Sequence, residues 1–119
     1  MSRHQERPAE AELLQGTLDM LILKVVALRP IHGYAIVQRI QEISKDALDI
    51  RQGSLYPSLY RLENRGWLKA EWRTTEGGRD AKFYSLTPAG VKRLKEETRS
   101  WNRTVSAVAS ALAATPREA

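Results

Sequence analysis

Apolar side chains return at helical spacing from Thr17 onward, where Leu18, Leu21, Ile22, Val25 and Leu28 follow the i, i+3, i+4, i+7 rule. Arg29-Pro30 closes that helix, because the residue before a proline is pushed out of the αR region. A second helix is expected from about His32 to Ser44, with Ile36, Ile40 and Ile43 on one face. Gly33 near its start either allows a neighbouring helix to approach closely or simply ends the Pro30 turn. Leu48-Asp49-Ile50-Arg51 alternates briefly and reads as a single short strand. A third helix then opens at Gly53-Ser54, with Ser54 as N-cap, Pro57 still in the first turn, and Gly66 as the C′ stop. Its core stripe is Leu55, Leu59 and Leu62.

The period then changes from helix to strand. Trp67 to Arg73 reads as a strand with Leu68, Ala70 and Trp72 on one face. Thr74 to Asp80 contains Gly77-Gly78 and is a turn, and Ala81 to Leu86 returns as the second strand of a hairpin. Thr87-Pro88 starts a last helix, threonine as N-cap and proline at the first helical position, running to about Ala113. The expected class is mainly α with a small β-hairpin: a winged helix-turn-helix domain plus a C-terminal dimerisation helix. Residues 1–12 form a polar N-terminal arm, 13–87 the winged domain, 88–114 the dimerisation helix and 115–119 a tail.

On a helical wheel, the side of the third helix away from its leucines carries Pro57, Tyr60, Arg61 and Asn64, flanked by Ser54 and Tyr56. A cation, hydroxyls, an amide and aromatic rings suit phosphates, base edges and thymine methyls in a major groove. The same residues would also serve as a solvent face, with Tyr56 packed at the core edge. At the hairpin tip, Arg73, Arg79 and Lys82 are long cations that can reach flanking phosphates or a narrow minor groove. Asp80 opposes that reading with a negative charge at the same point.

In the last helix Val91, Leu94, Thr98, Trp101, Val105, Val108 and Leu112 recur at alternating spacings of 3 and 4, an a/d seam of about three heptads. Charged residues flank it, so the seam is narrow. It has to be buried, either back on its own domain or against a second copy, together with the first helix through Leu18. Trp101 at a seam position is an interface anchor or a wall of an apolar slot for a small-molecule effector.

Charge sharpens this picture. The chain has 119 residues, 19 Lys+Arg against 14 Asp+Glu, and 0 Cys. Residues 1–50 hold six basic and seven acidic side chains, 51–82 seven and four, and 83–119 six and three, so the basic excess begins with the third helix. That favours an anionic partner. The lack of cysteine excludes a disulfide framework, a zinc ribbon and a thiol nucleophile. His4 and His32 have neither metal-ligand spacing nor a Ser/Asp constellation, so no metal, cofactor or catalytic site is expected, and His32 reads as a cap. With no signal peptide and no apolar run long enough to span a bilayer, the expectation is a cytoplasmic protein without a membrane partner.

Leu-Leu-Gln-Gly-Thr-Leu-Asp at 13–19, His-Gly-Tyr at 32–34, Gly-Ser-Leu-Tyr-Pro-Ser-Leu-Tyr-Arg-Leu-Glu at 53–63, Gly-Trp-Leu at 66–68 and Lys-Phe-Tyr-Ser-Leu-Thr-Pro-Ala-Gly at 82–90 resemble the PadR-like transcriptional regulators. The likeness runs from about Leu14 to Leu112, and the single short C-terminal helix is similar to the compact, acidobacterial-type branch. It implies a dimeric winged-helix protein, usually a repressor, that binds double-stranded DNA at a palindromic operator. It also implies that Ser54, Tyr56, Pro57, Tyr60 and Arg61 lie on the recognition helix, Arg79 and Lys82 on the wing, and Tyr34 near the DNA backbone. The family's wing often reads Gly-Arg-Pro-Arg-Lys. Here Gly78-Arg79 is followed by Asp80-Ala81 before Lys82, which removes a cation. The competing function is a winged-helix interaction module that holds an acidic protein on the same basic face.

Overall fold

In a computed structural model, which describes residues 3–48 and 50–117, the chain forms α1 (Arg3–Leu28), β1 (Ile31–His32), α2 (Gly33–Ile43), α3 (Gln52–Asn64), β2 (Leu68–Thr74), β3 (Asp80–Leu86) and α4 (Pro88–Leu112). The core takes most of the stripes expected of the first three helices, but Leu28 and Ile43, at the helix ends, are exposed, and Leu23, Val26 and Val37 are buried beside the stripes. Ile22, Leu23, Val25 and Val26 of α1 meet Ile36, Val37 and Ile40 of α2 and Leu55, Leu59 and Leu62 of α3, closed on one side by Leu68 and Tyr84 of the sheet. Burial of these branched side chains, roughly 1.5–3 kcal/mol each, is the main driving force for the domain.

Local signals set most of the boundaries. His32 caps α2 through its ring, Nδ1 accepting from the Ala35 N–H at 3.4 Å. Gly66, at φ +78, ends α3 in the left-handed region a side chain would disfavour. Thr87 caps α4, its hydroxyl accepting from the Gly90 N–H at 3.0 Å, and Pro88 takes the first helical position.

The structure corrects four expectations. The polar segment expected as an arm continues α1 as helix from Arg3. The third strand is Ile31–His32, paired antiparallel to Tyr84 and Phe83 in a sheet of order β1-β3-β2. Among the described residues of 48–51 there is no strand; Asp49 lies outside them. Leu48 and Ile50 instead pack on the core as an extended link into α3. Finally, α3 begins one turn earlier than its capping signal. Arg51 is the N-cap without a side-chain cap bond, and Ser54 lies inside the first turn with its N–H bonded to the Arg51 carbonyl. Pro57 therefore falls within the helix and removes one rung of its hydrogen-bond ladder, on the exposed side facing Gly53.

From Thr98 to Arg117 every described residue is exposed, although Ser100, Trp101 and Thr104 still border α1 across a cleft. The radius of gyration is 17.1 Å, against about 13.5 Å for a compact chain of this length. The long helices account for the excess.

Candidate nucleic-acid interface

The second and third helices meet where Gly33 lets them. A Cβ at Gly33 would lie 3.3 Å from Tyr56 Cε1 and 3.5 Å from Leu59 Cδ1, so the α2 backbone sits directly against α3. Tyr56 thus rests one ring edge on Gly33 while more than half of it stays exposed, and Tyr34, the next residue, is likewise exposed at the start of α2. With Leu55, Ser58, Leu59 and Leu62 all turned inward, the opposite side of α3 presents Ser54, Pro57, Tyr60 and Asn64 to solvent. Tyr60 is 69% exposed. That face is uncharged and rich in hydroxyl, amide and aromatic groups.

Arg61 departs from the expected placement. Its guanidinium turns along the flank of α3 towards α1, where Nη2 donates to both oxygens of Asp19 at 2.8 and 2.9 Å and to the Ser58 hydroxyl at 3.2 Å. With its amide oriented to satisfy both groups, Gln15 accepts from the same guanidinium at 2.7 and 3.1 Å. Only 27% of the Arg61 side chain remains exposed. It braces the helix rather than pointing outward from it. The sequence holds a signal for this in hindsight: Asp19 is an acid on an otherwise apolar stretch of α1.

The wing divides its cations between two faces. Lys82 lies on the side turned towards the helices; its Nζ is 3.4 Å from Glu63 of α3 and 5.8 Å from the centre of the Tyr84 ring. Arg73 lies on the opposite side, with Nε 2.6 Å from Glu71 and the guanidinium over the Phe83 ring at 5.3 Å. Arg79 sits at the tip, exposed and without an ion pair to any described residue. The Asp80 carboxylate accepts from the Thr74 hydroxyl at 3.0 Å, which pins the expected negative charge to the strand. Trp72, expected on one face with Leu68 and Ala70, shares their side of the sheet but overhangs the core edge. Sequence reasoning missed it because alternation gives the side and not the reach of the core along it.

The seam residues of α4 split in the same manner. Leu94 packs against the chain's own core, whereas Val91, Thr98, Trp101, Val105, Val108 and Leu112 are exposed. Leu18, expected to face a second copy, is 6% exposed within the core and has little surface left to offer. Trp101 lines a cleft of about 460 Å3 between α1 and α4, together with Asp19, Met20, Leu23, Trp67 and Arg93. Among the described residues no helix is long and apolar enough to cross a membrane.

Comparison with known proteins agrees with this architecture. The profile of the transcriptional regulator PadR-like family matches residues 22–96. The transcriptional regulator Rv3488 of Mycobacterium tuberculosis is 35% identical over a stretch covering 75% of this chain and 79% of that protein. Two solved structures are similar over most of the chain. A PadR family transcriptional regulator from Eggerthella lenta has TM-score 0.75 and 28% identity, covering 97% of this chain and 99% of its own. The smu.1704 structure from Streptococcus mutans has TM-score 0.74 and 31% identity, covering 82% and 88%.

Proposed function

The chain belongs to the transcriptional regulator PadR-like family and is not an enzyme, and from that premise we propose that it works as a homodimeric repressor bound to a palindromic double-stranded operator. The observation that carries this reading is the outward face of α3: Ser54, Tyr56, Pro57, Tyr60 and Asn64 are turned away from the core as one uncharged, hydrogen-bonding surface. Such a surface reads base edges in a major groove, while exposed cations around it hold phosphates. Arg79 at the tip is the wing cation best placed for a phosphate. Lys82 contributes from the helix side of the wing, and Tyr34 reaches the backbone beside α3. Arg73 acts on the far side of the sheet. Arg61 serves the interface by fixing α3 against α1 through Asp19.

The dimer forms along α4. Trp101 is 45% and Val108 50% exposed in an isolated chain, and from Trp101, at the α1 cleft, the a/d stripe continues through Val105, Val108 and Leu112 over exposed helix. Knobs-into-holes packing with the same stripe of a second copy buries them and sets two α3 helices for successive major grooves, about 34 Å apart. The cleft beside Trp101 borders that contact, so a small apolar effector entering it would alter the spacing of the two readers.

Titration into a genomic duplex library at two salt concentrations tests the reading. Selection of a two-fold symmetric motif, with affinity falling steeply with salt, is the expected result. Indifference to DNA at low salt would favour an acidic protein partner. Replacing Val105 and Val108 together by Lys should give monomers in sedimentation and much weaker operator binding; an intact dimer would put the interface elsewhere.

A further inference from the structure

Trp72 is the one large aromatic of the two wing strands that is exposed, and neither the core nor the outward face of α3 accounts for it. It stands on β2 directly across from Lys82 on β3, on the side of the sheet that carries Leu68 and Tyr84 into the core. The core stops short of it, and the indole is 68% exposed.

We propose that Trp72 is the apolar contact of the wing with the duplex, its ring laid against the deoxyribose edge of the strand that flanks the groove entered by α3. This rests on the DNA-binding reading given above. The surroundings of the ring point to that occupant. Its neighbours on this side of the hairpin are Lys82, Thr74, Asp80, Ala70 and Tyr84; with Tyr84 buried, the indole is the one exposed ring there, bordered outward by charged and polar groups. That is too small an apolar area for a stable protein interface, which needs about 1,000 Å2. A nucleic-acid backbone alternates anionic phosphates with apolar sugar edges, and a ring set between cations matches that alternation. Lys82 lies beside Trp72, and Arg79 stands beyond it at the tip without an ion pair to any described residue. Of the anions on this side, Asp80 accepts from the Thr74 hydroxyl and Glu63 is paired with Lys82. The face is also continuous with the reading helix, because Lys82 reaches Glu63 of α3 from the same side of the sheet.

An apolar contact and an ionic one differ in their salt dependence, and the experiment uses that difference. Affinity for the selected operator is measured across a salt series for the full chain and for Trp72→Ala, Trp72→Phe and Arg79→Ala. Trp72→Ala should weaken binding about five- to twenty-fold at every salt concentration with the log–log slope unchanged, since a stacked ring releases no counterion. Trp72→Phe should recover most of that loss. Arg79→Ala should lower the slope by about 0.9 for the phosphate it no longer neutralises. As an independent readout, operator should shield tryptophan fluorescence from acrylamide in the parent chain and do so less in Trp72→Phe. Wild-type affinity for Trp72→Ala, or equal shielding in both proteins, overturns the Trp72 contact while leaving DNA binding intact. A parent chain that binds no duplex overturns the DNA-binding reading itself.

Discussion

Removing Arg61 tests whether the brace between α1 and α3 has been assigned correctly. Its Nη2 is shared between both oxygens of Asp19 at 2.8 and 2.9 Å and the Ser58 hydroxyl at 3.2 Å. One nitrogen shared among the two Asp19 oxygens, Ser58 and, at 3.1 Å, the Gln15 amide oxygen is weaker than a two-nitrogen fork on the carboxylate, so the upper range of charge-assisted bonds does not apply. The side chains are 27% and 23% exposed. That places the pair above the ~0.2–1 kcal/mol of fully exposed pairs, with some screening by solvent retained. Ser58 is 1% exposed, and a buried hydroxyl deprived of its partner costs about 1 kcal/mol more. Arg61→Ala should therefore cost about 2 kcal/mol in urea unfolding. Asp19→Ala should cost about 1 kcal/mol, because the freed guanidinium can turn to water. The double variant should lose about 1 kcal/mol less than the sum of the two. All variants are compared at one protein concentration, since the proposed dimer would make the midpoint depend on it. A coupling below ~0.3 kcal/mol, within ordinary additivity, would show that the contact carries no energy. A loss of operator affinity without loss of stability would return Arg61 to the groove.

Two other perturbations address the sheet side of the domain. A Cβ at Gly90 would collide with the Trp67 carbonyl and come to 3.0 Å from Leu86 Cδ2; backbone cannot yield as a side chain does, so Gly90→Ala should destabilise by about 3 kcal/mol in urea unfolding, and a neutral result would mean that α4 is free to lift away. Burial pushes the Tyr84 hydroxyl above its ordinary value of 10.0, with Lys82 pulling against it. Its contribution to stability is then fully present below pH ~10 and is lost as pH rises through the higher folded value. Stability curves of the parent and Tyr84→Phe should run parallel below pH 10 and converge above it, and curves that stay parallel to pH 11 would contradict the desolvation.

The legible parts of this fold were those decided within a few residues of their signal. Gly66 after the leucine stripe, Thr87-Pro88 and Gly77-Gly78 each carry their own conformational reason, and the structure places a stop, a cap and a turn there. What stayed hidden depends on partners far along the chain. Ile31–His32 is a strand only because β3 lies beside it, and two residues after a proline show no alternation. Arg61 reads as an outward cation on a wheel centred on the leucines; only the position of Asp19, 42 residues earlier, turns it along the flank. Leu18 and the α4 stripe carry the same apolar signal, yet α1 is covered by its own domain while α4 runs past it. Periodicity identifies a face that needs covering, and topology decides what covers it.

That difference bears on how a contact along α4 could be felt at α3, because the two helices are joined at one short, rigid corner. Thr87 occupies it. Its hydroxyl donates to the Gly66 carbonyl and accepts from the Gly90 N–H, and its N–H donates to the Trp67 carbonyl at 3.1 Å. The Trp67 ring is in turn covered by Arg93 of α4 at 4.7 Å and by Arg65, just past the end of α3, at 5.3 Å. The end of α3 and the first turns of α4 therefore hold the same two residues, Gly66 and Trp67. With so little play, the angle at which two α4 helices cross would set the separation of their α3 partners. Thr87→Ala removes both hydroxyl bonds and should cost about 1–2 kcal/mol, while Thr87→Ser, which keeps them, should cost far less. The functional consequence is sharper than the energetic one. Thr87→Ala should tolerate operators with one base pair inserted between half-sites better than the parent chain does, measured as the ratio of the two affinities. An unchanged ratio would mean that spacing is set somewhere other than this corner.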